Sequence, residues 1–443
     1  MTTALLLGGP GTGKTRNLVD RVDDLVAGGV SSDRIAFVSF TNAAIREATG
    51  RVRSTLKWPW FRTVHSLAFN RLGKRRSDIL TKAHLDEIGE ITGETFLHDR
   101  VVVDGPVPDD VDADHLLQFN QIARATGRGL ELTWQDLGAD VDFHRVKRFH
   151  DAYEEYREDQ ALTDYTDLLE EYVAAGMAVP VDYAIIDEAQ DLTNVQWDCV
   201  SRAFSCDLLV AGDDDQSVYE WSGASVERLI SLAKTAPPTI LAQSHRVPSA
   251  VWQIANEILH RLERRVPKSW LAAPSPGRVE FIRNLEDAPL EQGSWLVLAR
   301  TRWQAWKVAK LCEELGYLYS LHGVSSVNED HLRAIEDHVT SGRSGLWHDV
   351  LTDIPLLKRE YYLAARRRGE KLRGTPRLRV NTIHGSKGME AENVLIMTDL
   401  TRRVERGMEM NPDAEHRLYF VGVTRARRNL WIVEPSDHRG YRI

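Results

Sequence analysis

The 443 residues predict an α/β protein of two parallel-sheet domains in tandem, with a helical insertion in the first and a short insert in the second. Three observations carry this. The chain opens on an apolar run, ALLLGG, followed by a glycine-rich loop, a helix-patterned stretch and a second apolar run, RIAFVSF. Two more buried-strand patterns come much later, YAIIDEAQD from Tyr183 and DLLVAGDDDQ from Asp207. A fresh alternation of short apolar runs and helical stretches then starts at Thr239.

Each element follows from its residues. After the glycine-rich loop, Leu18, Val19, Val22, Leu25 and Val26 recur at helical spacing, and Gly28 and Gly29 close the segment. Strand, loop, helix, strand is the start of a parallel sheet with crossover helices. Residues 67–163 are polar and mostly helix-patterned, so they read as an insertion between 1–66 and 164–236. The runs TILAQSHR, SWLVLART, RVNTIHGSKG, NVLIMTDL and NLWIVEP supply a second domain over 237–324 and 377–443. A charged, helix-patterned insert, 325–376, interrupts it. Asp99 to Asp114 is acidic and broken by glycine and proline, the pattern of an exposed loop.

Composition narrows the class. Hydrophobic residues at 42% and charged residues at 27% fit an ordinary globular chain and exclude a disordered or fibrous one. No run of about eighteen apolar residues predicts a membrane helix, and the N-terminus lacks a basic n-region and cleavage pattern. Cys199, Cys206 and Cys312 have neither metal spacing nor the even count of a disulfide framework. A cytoplasmic protein of bacterial or phage type, with no membrane partner, is expected. A net charge of −9 argues against a surface that coats nucleic acid throughout, but not against a local basic channel. Lys358 to Arg379 carries nine basic residues against two acidic ones; it is either a solvated helix face or a DNA-contacting surface.

The chemistry starts at Gly8, Gly9, Pro10, Gly11, Thr12, Gly13, Lys14 and Thr15, which match G-x-x-x-x-G-K-[ST] between a strand and a helix. Glycines let backbone N–H groups turn toward phosphates, Lys14 supplies a point charge for the β and γ oxygens, and the Thr15 hydroxyl suits Mg²⁺. The loop needs acidic partners at the end of a neighbouring strand, and Asp187 (for Mg²⁺) and Glu188 (for the attacking water) stand there. These motifs alone say only that the chain uses a nucleoside triphosphate.

The longer segments are specific. GDDDQSVYEWSGA (212–224), with FTNAA (40–44), TVHS (63–66), DYTDLL (164–169), QSHR (243–246), TIHGSKGME (382–390) and LYFVGVTRAR (418–427), closely resembles the UvrD/Rep/PcrA-like superfamily 1 helicases. The resemblance spans nearly the whole chain, in order. It implies two RecA-like domains that clamp ATP, with Gln216 reporting the γ-phosphate state, Arg246 and Arg425 as arginine fingers, and Glu390 on the ribose. It also implies base stacking between Arg16 and the residue at 245. For the nucleic-acid track it implies Phe40, Tyr219 and Trp221 as stacking platforms, with Thr41, His65, Thr382 and His384 near backbone or bases. The implied activity is ATP-dependent, 3′→5′ translocation on single-stranded DNA and unwinding of tailed duplexes; the loading partner is unknown. The alternative is a DNA-stimulated ATPase that strips proteins from DNA with little unwinding.

Departures from the family set further expectations. Only seven residues precede Gly8, so the upstream glutamine segment that reads adenine is expected to be missing, and weak discrimination among bases with it. His245 replaces a tyrosine, and Ser222 stands where many relatives have arginine. The 325–376 insert is small for the family's 2B subdomain, and the family's C-terminal partner-binding tail after NLWIVEPSDHRGYRI is expected to be missing. The expectation is a minimal motor.

Overall fold

The computed structural model describes residues 2–53, 56–96, 113–137 and 141–443, which form two compact units. Most of the expected acidic loop, residues 99–112, lies outside the described residues. Unit 1 comprises residues 1–244 and 264–270; unit 2 comprises 245–263 and 271–443.

Unit 1 is built on six parallel strands: β1 (Thr3–Gly8), β2 (Ile35–Ser39), β3 (Phe61–Thr63), β4 (Tyr183–Asp187), β5 (Asp207–Gly212) and β6 (Thr239–Leu241). Their order across the sheet is β3-β2-β4-β5-β1-β6. The central strands are buried over most of their length because both faces are covered, which is why they read as continuous apolar runs. Leu18, Val19, Val22 and Leu25 of helix Lys14–Ala27 pack on one face with Phe37, Phe61 and Ile185. The other face packs Leu67 and Ala68, Tyr172 and Val200. The helices Lys82–Thr92, Phe143–Asp159 and their neighbours gather around a separate core of Ile88, Leu116, Phe119, Val146 and Phe149.

Unit 2 carries β7 (Arg278–Ile282), β8 (Trp295–Ala299), β9 (Tyr319–Leu321), β10 (Val324–Ser325), β11 (Leu378–Thr382), β12 (Ala391–Met397) and β13 (Ala426–Val433). The order is β10-β9-β11-β8-β12-β13-β7, parallel except for the β9–β10 hairpin.

One expected boundary is corrected. The run from Thr239 was assigned to the second domain, but β6 pairs with β1 through Leu6–Thr239 and Leu7–Ile240 and closes the first sheet. A short apolar run identifies a strand, not the sheet it joins. The 325–376 insert packs closely on unit 2. Leu332, Ile335, Trp347, Tyr361, Tyr362 and Ala365 pack with Trp295, Cys312 and Val380 in the core of unit 2.

Much of the basic run is paired within unit 2. Lys358 pairs with Glu313 at 2.5 Å, Arg368 with Glu291 at 3.6 Å, Arg377 with Glu370 at 2.6 Å and Arg373 with Glu336. Arg359 donates to the His348 carbonyl and Arg379 to the Glu390 carbonyl, both at 2.6 Å. Most of the run is therefore structural, and the solvated part narrows to Arg366, Arg367 and Lys371, all exposed. Arg377→Ala is expected to cost about 1–2 kcal/mol, because it strips the partner from Glu370, whose side chain is 5% exposed. Arg366→Ala should stay within about 0.5 kcal/mol of the parent. Urea melts of the two variants check this; equal midpoints would show that the Arg377–Glu370 pair contributes nothing.

Candidate nucleotide and nucleic-acid site

In unit 1 the loop leaves β1 at Gly8 and enters the helix at Lys14. Gly11 and Gly13 sit at φ 72° and 80°, a left-handed backbone that side chains disfavour, so the tight turn demands glycine at both. The Thr12 hydroxyl donates to the Gly9 carbonyl at 2.9 Å and braces the turn. Lys14 Nζ lies along the loop, donating to the Gly8 carbonyl at 2.8 Å and the Gly9 carbonyl at 3.4 Å. Arg16, two positions after Lys14, is exposed.

Thr15 and Asp187, 172 residues apart, meet here: the Thr15 hydroxyl donates to Asp187 Oδ2 at 3.0 Å. Asp187 ends β4 and is 1% exposed; burial, with the Glu188 carboxylate beside it, pushes its carboxyl up to about 7. A hydroxyl and a carboxylate are hard oxygen donors, the set that suits Mg²⁺. Among the described residues no group of three or more His, Cys, Asp or Glu could hold a metal.

Glu188 occupies φ 54°, a conformation that costs about 1–3 kcal/mol and persists only where neighbours over-determine it. Those neighbours form a chain of hydrogen bonds. The Glu188 N–H donates to Asp187 Oδ1 at 2.9 Å. The Gln190 amide nitrogen donates to the Glu188 carboxylate, and its oxygen accepts from the Asp213 N–H at 2.9 Å. Gly212 is required beside it, since a Cβ there would lie 2.7 Å from Gln190 Oε1. Gln216 Nε2 donates to Asp213 Oδ2 at 2.5 Å. The same turn leads directly to the aromatic residues. Tyr219 stacks on Phe40 at 5.7 Å between centroids, and Trp221 stands edge-on to Tyr219 at 6.5 Å. Three expected track residues from two distant segments thus form one aromatic cluster, each only partly buried.

Thr41 caps the helix Asn42–Arg51, accepting from the Ala44 N–H at 3.1 Å. His65 stands edge-on to Tyr165 at 5.4 Å, and burial pushes its imidazole down to about 4, so it is neutral at pH 7. In unit 2, Thr382 and His384 are 1% and 4% exposed. Thr382 Oγ1 accepts from the Gly385 N–H at 3.0 Å, while burial and the nearby Arg300 hold His384 well below the usual histidine range.

Unit 2 also brings together Arg246, Glu390 and Arg427: Glu390 lies 3.7 Å from Arg246 Nη1 and 3.3 Å from Arg427 Nη1. Arg425 is 2% exposed, with Nε donating to the Val421 carbonyl at 2.9 Å. His245 is exposed. Ser222 donates to the Tyr219 carbonyl at 2.9 Å, closing the turn that carries Trp221.

A family model for the UvrD/REP helicase N-terminal domain matches residues 1–237, just over half of the chain. The chain belongs to the UvrD/REP helicase family. A second model, the UvrD-like helicase C-terminal domain, matches residues 351–436. Among the relatives of this UvrD/REP chain is an ATP-dependent DNA helicase PcrA of Leuconostoc citreum, 28% identical over 301 residues, which are 63% of this chain and 40% of that protein. A second, of the same name, from Staphylococcus epidermidis strain RP62A, is 25% identical over 351 residues, 74% of this chain and 47% of that protein. The chain spans less than half the length of these curated relatives. Among solved structures, the Arterivirus nonstructural protein 10 helicase aligns with 98% of this chain and 60% of its own at a TM-score of 0.39 and 14% identity. No helix among the described residues is long and apolar enough to cross a membrane.

Gln190 and Lys268 join these groups without belonging to any of the motif positions expected above. Gln190 had a signal, since it stands two positions after Glu188 in DEAQD. Lys268 had none: VPKSW carries no motif, and the lysine acquires meaning only from what it packs against.

Proposed function

We propose that this chain is an ATP-driven, Mg²⁺-dependent motor that moves 3′→5′ along single-stranded DNA and unwinds tailed duplexes, in the cytoplasm. In this reading Lys14 and the loop amides bind phosphates, Thr15 and Asp187 hold the metal, and Glu188 orients the water. Arg246 and Arg425 stabilise the transferring phosphoryl group, Glu390 holds the ribose, and Arg16 and His245 sandwich the base. Phe40, Tyr219 and Trp221 stack bases, with Thr41, His65, Thr382 and His384 flanking the strand.

One observation supports this above the others. An unbroken run of hydrogen bonds joins Glu188 through Gln190 and Asp213 to Gln216, three residues before Tyr219 of the aromatic cluster. A change at the γ-phosphate then has a physical route to the stacked bases. The test is ATP hydrolysis with and without single-stranded DNA, then unwinding of 3′-tailed and 5′-tailed duplexes. Strong stimulation and unwinding of the 3′-tailed substrate are expected; turnover indifferent to DNA would overturn the proposal.

A second reading, a translocase that displaces proteins with little unwinding, has its own support: residues of 325–376 pack into the core of unit 2. Displacement of streptavidin from biotinylated DNA without strand separation would select it.

Trp221→Ala should weaken DNA-stimulated turnover and spare the basal rate. A base–aromatic stack contributes about 1–3 kcal/mol, so half-maximal stimulation should need roughly five- to hundredfold more DNA. A matching collapse of basal turnover would mark Trp221 as a packing residue.

A further inference from the structure

The segment Arg264–Trp270 belongs to unit 1, although the chain on both sides of it belongs to unit 2. It brings a lysine into the buried acidic turn at Asp213–Asp215. Lys268 is 1% exposed at its side chain, and its Nζ lies 3.1, 2.6 and 2.7 Å from carboxylate oxygens of Asp213, Asp214 and Asp215. Arg265 adds a forked pair to Asp215 at 2.8 and 2.6 Å, and the Val266 N–H donates to Asp214 at 2.7 Å. Two bonds from Asp213 matter most. Its Oδ1 faces Lys268, while its Oδ2 accepts the Gln216 amide. The Asp215 N–H donates to the same Oδ1 at 3.3 Å, so the lysine and that N–H together set the plane of the Asp213 carboxylate, and the carboxylate in turn orients the Gln216 amide. The segment touches the phosphate loop as well: a Cβ on Gly9 would lie 3.0 Å from the ring of Trp270, which is 4% exposed.

We propose that Lys268 is a positioning residue for Gln216, acting through Asp213 to couple nucleotide state to DNA-stimulated turnover. This rests on the proposed role of Gln216 at the γ-phosphate. The charge state suits the task. Burial alone would lower the lysine's proton affinity, but the three carboxylates raise it above the ordinary range, so it stays an ammonium. A permanent buried cation among three carboxylates admits few alternative arrangements, which is what holding one amide orientation requires.

The experiment is a double-mutant cycle on DNA-stimulated kcat, basal kcat and melting temperature, using Lys268→Met, Gln216→Ala and the pair. Each single change is expected to lower DNA-stimulated kcat about tenfold or more, and the pair should fall no more than about twofold below the weaker single, because coupled residues do not add. Lys268→Arg, which keeps the cation, should recover part of the stimulation. Arg265→Gln removes a partner of Asp215 without touching Asp213. It should lower the melting temperature and keep the ratio of stimulated to basal turnover. If Lys268→Met does not fold, Asp213→Ala takes its place in the cycle, since it cuts the same link and leaves Lys268 two carboxylates. If Gln216→Ala alone has no effect, the reading of Gln216 fails and the proposal falls with it. If Gln216→Ala matters but the two losses multiply, or if stimulated and basal rates fall together in step with melting temperature, Lys268 is structural only and the proposal is overturned.

Discussion

Lys14→Ala is expected to reduce ATP hydrolysis by about 10²–10³-fold or more, a loss of roughly 3–4 kcal/mol of transition-state stabilisation. The lysine is half-buried, and its ammonium is held by the Gly8 and Gly9 carbonyls, so it is already drawn against the loop where phosphates would bind. Its removal takes away the point charge for the β and γ oxygens and leaves the sheet untouched. Leu18, Val19, Val22 and Leu25 still bury the helix, so the melting temperature should barely move. Steady-state hydrolysis with saturating single-stranded DNA, alongside a thermal melt, checks both halves. Near-parental turnover in a folded variant would remove the loop from the reaction.

Arg246→Ala and Arg425→Ala should each lower kcat by about 10³–10⁵-fold while changing the KM for ATP far less, the signature of a group that acts only in the transition state. The two arginines differ in setting, and the controls follow from that. Arg246 is paired at 3.7 Å with Glu390, which keeps Arg427 when Arg246 is lost, so the fold should tolerate the change. Arg425 is buried and hydrogen-bonded to the Val421 carbonyl, so its alanine variant should also melt earlier. Arg246→Lys preserves charge but not the planar fork and should recover little activity. A kcat within a few-fold of the parent, for either alanine variant that remains folded, would exclude that residue as a finger.

Much of the fold was legible because its signals are local. The strand–loop–helix around Gly8–Thr15 is set by an apolar run, glycines at positive φ and a helical apolar stripe, all contiguous. YAIIDE and DLLVAGDDDQ read as strands because both sheet faces are covered. Phe40, Tyr219 and Trp221 were named from motifs, yet nothing in sequence spacing put Phe40 against Tyr219. That contact exists because β2 and β5 lie two places apart in one sheet, so their C-terminal loops open on the same edge.

The sequence by itself determined the glycine-rich loop between β1 and its helix, the acidic pair at the end of β4, the alternation of strands and helices, and the motif order shared with UvrD/REP helicases. Each depends on residue type at short range. The tertiary structure alone decided that β6 completes the first sheet, that residues of 325–376 pack into the core of unit 2, and that six of the nine basic residues of 358–379 pair with carboxylates or backbone carbonyls. It alone put Lys268 among Asp213, Asp214 and Asp215, more than fifty positions upstream. A strand's apolar run does not specify its partner, and a basic run does not specify which carboxylates will neutralise it. Those outcomes depend on which distant groups the folded chain brings within about 3–4 Å, where burial makes a charge pair or leaves it unmade.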